Sequence, residues 1–329
     1  MSTLAPTLQA FFTDRLARQR QASPHTIAAY RDTCKLLLAF ASQRTAKAPS
    51  ALAIADLDAP LVGAFLDHLE HGRGNSPRTR NARLSAIHSL FRYAALRHPE
   101  DAAVIQRVLA IPPKRHDHAI ITYLTEPEIS ALLAAPDQGT WTGRRDHALL
   151  TVAIQTGLRA SELTSLTISD VHLGTGAHIS CLGKGRRQRI TPLTAGTVTT
   201  LAAWLTERGG QPADPLFPTR QGTALSRDAL ERRVARHTTT ATQACPALAE
   251  KKISPHVMRH SAAMRLLNAG VDTTVIALWL GHAGVATTQI YIHADLALKE
   301  RALARTTPHD APPGRYQPAD NIIAFLESL

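Results

Sequence analysis

Most of the chain carries apolar residues at helical spacing. The clear departure is His178-Ile-Ser-Cys-Leu182 and Arg187-Gln-Arg-Ile-Thr191, set on either side of Gly183-Lys184-Gly185-Arg186. A period near 3.6 residues buries one stripe of a helix, whereas two short runs joined by a glycine-containing turn read as a pair of strands. The expected fold class is therefore mainly α: an all-helical front part, then a mixed α+β part with a small antiparallel β-sheet.

Helix starts divide the chain further. Ser23-Pro24-His-Thr26 and Ser76-Pro77-Arg-Thr79 each place a capping serine before a proline that fits the first helical position. Apolar residues follow at helical spacing, through Ile27, Tyr30, Cys34, Leu37 and Leu38, and through Leu84, Ile87, Leu90 and Phe91. A third helix is expected over Asp56 to His71, ending near Gly72. The prolines and polar residues of Ile111-Pro-Pro-Lys-Arg-His-Asp-His118 read as a linker, with a domain boundary near residue 115. Beyond it, Thr125-Glu-Pro-Glu128 is a capping box, and an apolar helix from about Arg144 to Thr156 stops at Gly157. Further helices are expected over 194–208, 226–237, 254–269, 273–280 and 287–293. Ala311-Pro-Pro-Gly-Arg-Tyr then leads to an apolar end, Asn321 to Leu329.

Charge points to a polyanion. The 329 residues carry a formal net charge of +11, and the segment 1–115 holds 16 basic and 8 acidic residues against 21 and 18 in the remainder. Clustered Lys and Arg gain affinity by releasing counterions from phosphates, although a solubilising basic surface would also account for charge alone. Arg78, Arg80 and Arg83 at one helix start, and Arg227, Arg232, Arg233 and Arg236 on a later helix, are the places to look for DNA contacts. Cys34, Cys181 and Cys245 are widely spaced, so reduced thiols are expected. Neither an apolar run of about 18 residues nor a cleavable leader is present, which makes the cytoplasm the expected location and a membrane role unexpected.

Six residues carry the chemistry. Arg159 follows Gly157 at the start of a helix, where a fixed guanidinium suits two phosphate oxygens; alone, it also has an ion-pair partner in Glu162. Lys184 sits at the hairpin tip, and a lysine in such a turn is otherwise simply solvated. His256 and Arg259 share one face at a helix N-terminus, which favours an anion. His256 and His260 have the i, i+4 spacing of a zinc helix, but Val257 stands where a zinc protease needs glutamate, so no metal is expected. No phosphate-binding loop of the nucleotide-hydrolase kind is present either. His282 ends a short helix and Tyr291 lies nine residues on; in isolation they read as a capping histidine and a core tyrosine. A phenol with a pKa near 10 is only about 0.1% ionised at neutral pH, so a nucleophilic tyrosine needs a base or a strong positive field.

The pieces Thr156-Gly-Leu-Arg-Ala-Ser-Glu-Leu, Leu182-Gly-Lys-Gly, Ser254-Pro-His-Val-Met-Arg-His, and Leu280-Gly-His followed by Thr287-Thr-Gln-Ile-Tyr-Ile-His resemble, in this order, the tyrosine recombinase (lambda integrase) family. Its Xer-type members are the most similar. The likeness spans the whole second part of the chain, and the Ser-Pro-x-Thr helices resemble the family's core-binding domain. Met258 departs from it, standing where leucine is commoner, and the tail beyond Asp295 is longer and richer in proline than in the shortest Xer-type proteins.

The resemblance implies a SAM-like core-binding domain with linker over 1–115 and a catalytic domain over 116–310; for the tail over 311–329 the readings are docking on a neighbouring subunit, packing on its own domain, or disorder. It implies that Arg159, Lys184, His256, Arg259 and His282 surround the scissile phosphate, and that Tyr291 attacks it to give a 3′-phosphotyrosine and a free 5′-hydroxyl. The arginines would hold the non-bridging oxygens. Lys184 would protonate the leaving oxygen, His256 would accept or relay a proton, and His282 would donate to phosphate. No cofactor is needed, because the covalent link conserves the bond energy. The implied partner is a double-stranded DNA recombination site, met by a homo-tetramer in the synapse, with or without a second recombinase. The long tail favours integration or transposition of a mobile element. The alternatives are Xer-type resolution of chromosome or plasmid dimers, a relaxing topoisomerase, and a DNA-binding accessory protein of the same fold that makes no cut.

Overall fold

The computed structural model describes residues 4–115, 121–183 and 188–282, together with Thr288 and Tyr291. Lys184, Arg187, most of the expected 287–293 helix and the 311–329 tail lie outside the described residues. The chain divides into two compact units, Met1–His118 and Ala119–Leu329.

The first unit is helical. Helix α1 (Leu4–Ala10) runs into π-helical turns over Phe11–Gln19, and α2 (Pro24–Thr45), α3 (Ala59–Asp67), α4 (Pro77–Ala95) and α5 (Ala102–Leu109) follow. Both Ser-Pro starts form as expected: the Ser23 hydroxyl accepts from the Thr26 amide at 3.2 Å, and Ser76 does the same for Thr79 at 3.3 Å. Leu37, Phe40, Leu84, Ile87 and Phe91 meet Phe65, Leu66 and Val108 in one apolar core, while Phe11, Cys34, Leu90 and Tyr93 form a second cluster. The helix expected over 56–71 is broken up. A 3-10 turn occupies Ile54–Asp56, Asp58 caps α3 instead, and the chain beyond Asp67 winds into π-helical turns that end at Gly72.

The second unit holds α6 (Glu126–Ala134), α7 (Trp141–Thr156), α8 (Ala160–Ser165), strands β1 (Val171–His172), β2 (His178–Leu182) and β3 (Gln188–Pro192), then α9 (Ala195–Arg208), α10 (Arg227–Ala241), α11 (Pro255–Asn268) and α12 (Thr273–Leu280). The sheet is antiparallel in the order β1-β2-β3, with Ile179 opposite Thr191 and Cys181 opposite Arg189. One alternating face thus enters the core, where Ile179 and Cys181 are buried, while Leu182 and Ile190 stay exposed on the other. Helix α7 lies centrally, with Ala148, Leu149, Val152 and Ile154 all buried among residues of α6, α9, α10 and α11. At α6, Glu128 accepts the Thr125 amide at 2.7 Å as a capping box requires; the Thr125 hydroxyl, however, donates to that carboxylate at 3.0 Å, and Lys251 joins it at 2.8 Å. Among the described residues, no helix is long and apolar enough to cross a membrane.

Candidate active site

Two glycines shape the site. Gly157 ends α7 with φ +64°, and a Cβ there would stand 2.7 Å from Cδ2 of Leu280 and 3.1 Å from Cβ of Ala262. Gly281 ends α12 with φ +65°, and its Cβ would meet Arg189 Nη1 at 2.6 Å. Both positions need a left-handed backbone and a bare Cα, so three segments can close on one another here.

Two arginines bind the tips of those turns. Arg259, 3% exposed on α11, donates through Nη1 to the Gly157 carbonyl at 2.7 Å and through Nη2 to the Leu280 carbonyl at 2.6 Å. Arg159, at the N-cap of α8, donates through Nη2 to the next carbonyl, Gly281, at 3.0 Å, and through Nη1 to Glu162 at 2.8 Å. Consecutive carbonyls of one turn are therefore held by guanidinium groups from two different helices. Each terminal nitrogen carries two hydrogens, so each keeps one for another acceptor. Burial, then the neighbouring Arg159, lowers the Arg259 pKa to about 10, which leaves it a cation at neutral pH.

Tyr291 lies against this frame, 1% exposed, in an apolar cluster with Ala263, Met264, Leu267, Ile276 and Leu280. Its hydroxyl is 3.1 Å from Nδ1 of His260. The His282 ring stacks on Tyr291 with centroids 6.3 Å apart, and its Nδ1 meets the Thr288 hydroxyl at 2.8 Å. His256 stands on the exposed side of α11, its ring centroid 4.2 Å from that of His260. Burial first, then nearby positive groups, lower both His260 and His282 to about 4, so both rings are neutral at physiological pH. For Tyr291, burial raises the pKa while Arg259 and Arg159 pull it down, with a net rise.

Of the six sequence candidates, Arg159, Arg259, His256, His282 and Tyr291 come together at the meeting of α8, α11 and α12, and Lys184 lies outside the described residues. A cleft of about 350 Å³ beside Arg159 is lined by Ser161, Glu162, Ser165, Leu182 and Gly183, the last two directly before Lys184 in sequence. Sequence reasoning missed two neighbours. His260 touches the tyrosine, and its i, i+4 spacing from His256 was the available signal; Arg189 grips Glu162 from β3, and nothing local announced it.

The arginines marked for DNA divide by environment. Arg78, Arg227 and Arg232 are exposed. Arg80 approaches Glu70 at 3.6 Å and donates to Asn81 at 3.2 Å, while Arg83 is partly buried. Arg233 and Arg236 approach the buried Asp146 at 3.4 and 3.5 Å.

Similarity to known proteins follows the same outline. Residues 122–297 match the phage integrase family, and residues 10–98 match the phage integrase N-terminal SAM-like domain. A putative integrase/recombinase of Sinorhizobium fredii is 53% identical over 330 residues, covering 100% of this chain and 99% of the relative. The tyrosine recombinase XerD of Pseudomonas putida is 32% identical over 304 residues, covering 90% of this chain and 96% of its own length. Among solved structures, the XerH site-specific recombinase in a post-cleavage complex with its palindromic difH substrate superposes with a TM-score of 0.70 at 26% identity, over 87% of this chain and 81% of that one. With both parts of the chain matched, and one relative aligned from end to end, this protein belongs to the phage integrase family, the tyrosine recombinases that cut and rejoin DNA.

Proposed function

We propose that the chain is a site-specific recombinase in which Tyr291 attacks a DNA phosphodiester, forming a 3′-phosphotyrosine link and releasing a 5′-hydroxyl. The observation that carries this reading is the placement of the Tyr291 hydroxyl beside a neutral histidine, within the field of two arginines that are themselves fixed by backbone carbonyls. A neutral His260 can accept the phenolic hydrogen at Nδ1 in the tautomer protonated at Nε2. Arg159 and Arg259 offer their remaining N–H groups to the non-bridging oxygens, where charge grows as the pentacoordinate state forms. His282 donates to the same phosphate, His256 relays a proton, and Lys184 protonates the departing 5′-oxygen.

In this reading residues 1–115 clamp the duplex as a core-binding domain, residues 116–310 do the chemistry, and the protein acts as a tetramer on two duplexes. The tail over 311–329 docks on a neighbouring subunit. Identity of 53% to a putative integrase/recombinase, against 32% to XerD, supports integration or transposition of a mobile element over dimer resolution.

The test uses duplexes enriched by binding from a randomised pool and then nicked near the preferred sequence, so that a cut strand diffuses away. The wild-type chain should form a complex that survives denaturing electrophoresis, with a kinase-labelled 5′-hydroxyl on the released strand, and Tyr291→Phe should form none. An equal yield from Tyr291→Phe would sink the assignment.

A further inference from the structure

Strand β3 reaches the site through one side chain. Arg189, 10% exposed, lays its two terminal nitrogens on both oxygens of Glu162, Nη1 to Oε1 at 2.9 Å and Nη2 to Oε2 at 2.7 Å. The same carboxylate accepts the Arg159 backbone N–H at 2.8 Å and Arg159 Nη1 at 2.8 Å. Glu162 is 4% exposed, so it has four donors and almost no water. A two-point grip of this kind fixes the carboxylate plane as well as its position, which a single contact would not do.

The guanidinium also supports the turn before His282. A Cβ at Gly281 would come within 3.2 Å of Arg189 Cδ and 3.3 Å of Cζ, so the arginine lies directly against that glycine. The Gly281 carbonyl is the acceptor for Arg159 Nη2. Arg189 thus touches both groups that aim Arg159, the carboxylate on one side and the turn on the other.

Charge gives the arrangement a second consequence. Among the described side chains around this turn, Arg159, Arg189 and Arg259 are cationic and Glu162 is anionic, while the neutral His260 and His282 add nothing. Those four side chains leave a surplus of two positive charges. A phosphodiester bears one negative charge, and attack by a phenolate raises the pentacoordinate species to two. Without Arg189, Glu162 would be shared with Arg159 alone, and the positive charge there would be lower by one.

We propose that Arg189 is a positioning residue for the phosphate site, holding Glu162 so that Arg159 keeps its free edge for the substrate, and adding one positive charge beside it. The proposal rests on the reading of Tyr291 as the nucleophile. If it is right, replacing Arg189 should matter most where the substrate carries the most charge.

The experiment compares the full-length wild type, Arg189→Ala and Arg189→Lys on nicked duplexes with either the ordinary phosphodiester or a neutral methylphosphonate at the mapped scissile position. Arg189→Ala should slow covalent attachment to the phosphodiester by about tenfold or more, with duplex affinity within about twofold, and lose clearly less on the methylphosphonate. Arg189→Lys should fall between, because an ammonium keeps the charge but lacks the planar fork that fixes the plane of the Glu162 carboxylate. A wild-type rate for Arg189→Ala, or equal proportional loss on both substrates, would overturn the proposal. Should Arg189→Ala fail to fold by thermal melting, Arg189→Lys takes its place on the two substrates: a larger loss on the phosphodiester supports the proposal, and no loss or an equal loss on both overturns it. Absence of any wild-type adduct on the phosphodiester would instead remove the reading of Tyr291 beneath it.

Discussion

The Tyr291 hydroxyl and Nδ1 of His260 stand 3.1 Å apart, with their rings edge to face and centroids 5.5 Å from one another. One partner is a buried phenol and the other an imidazole that burial, His256 and Arg259 keep unprotonated down to about pH 4. An acceptor is thus in place at the pH where the phenol needs one. His260→Ala should therefore slow adduct formation by about tenfold to a hundredfold while leaving duplex affinity nearly unchanged. Adduct time courses and gel shifts measure the two separately, and an unchanged rate would reduce His260 to a packing role.

The same histidines give stability a pH signature. His260 and His282 titrate near 4 when folded and near 6.5 when unfolded, so between those values the unfolded chain binds more protons. Stability should be independent of this pair above about pH 6.5 and fall progressively as pH drops toward 4. Carboxylates held below their usual range, such as Glu162 and Asp146, act lower down, as pH falls through and below their ordinary values of 4.5 and 3.8. Urea denaturation at pH 7.5, 5.5 and 4.5 should show the decline, and a His260→Gln/His282→Gln variant should flatten it above pH 4.5. A parallel decline in that variant would assign the loss to other groups.

Gly157 is a sharper test of the frame. With φ +64° and Leu280 and Ala262 both within 3.1 Å of a new Cβ, Gly157→Ala must strain the backbone and push α11 and α12 away from α7. We expect a loss of about 2 kcal/mol and a melting temperature lower by about 5 °C. Adduct formation should drop too, because the Gly157 carbonyl anchors Arg259. A variant as stable and as active as the wild type would show that the three segments close with room to spare.

Features set by near neighbours were legible in the sequence. The Ser23 and Ser76 caps, and the 273–280 helix between Asp272 and Gly281, depend on residues within a turn of one another, and they stand where expected. Helix α7 starts earlier than its apolar stretch, because Trp141 packs on Trp204 with centroids 5.2 Å apart and so belongs to the core. Strand β1 is two residues long and exists only through pairing with β2, which leaves no periodicity to detect. The site divides along the same line. Arg159 and Glu162 are three apart and announce each other, whereas Arg189 finds Glu162, and His260 finds Tyr291, only after the chain has folded back.

Exposure separates the arginines proposed to meet DNA. Arg78 is exposed at the first turn of α4, as a phosphate contact would require, whereas Arg80 is drawn toward Glu70. Arg78→Ala should weaken duplex binding for every sequence alike and reduce the slope of log affinity against log salt by about 0.9, as loss of one phosphate contact does. Titrations at several salt concentrations read that slope, and an unchanged value would place Arg78 off the DNA.

Asp146 offers the strongest prediction about stability. It is 1% exposed and accepts Arg145 Nε at 2.9 Å, Arg145 Nη2 at 2.6 Å and His237 Nε2 at 2.9 Å, with Arg145 itself wholly buried. Burial alone would raise its pKa, but the His237 hydrogen bond and the Arg145 charge outweigh that and keep it ionised. Asp146→Asn would leave the Arg145 cation buried without a counter-charge, at a cost of about 3–5 kcal/mol in urea unfolding. Arg236 approaches the same carboxylate at 3.5 Å but is 66% exposed, so Arg236→Ala should change stability by less than about 0.5 kcal/mol. The contrast isolates burial as the cause, since both variants disturb a pair that includes Asp146 and only one strands a charge away from water. Equal losses from the two would mean that the carboxylate acts as a surface acceptor, and that Arg145 reaches water in a way its burial does not allow.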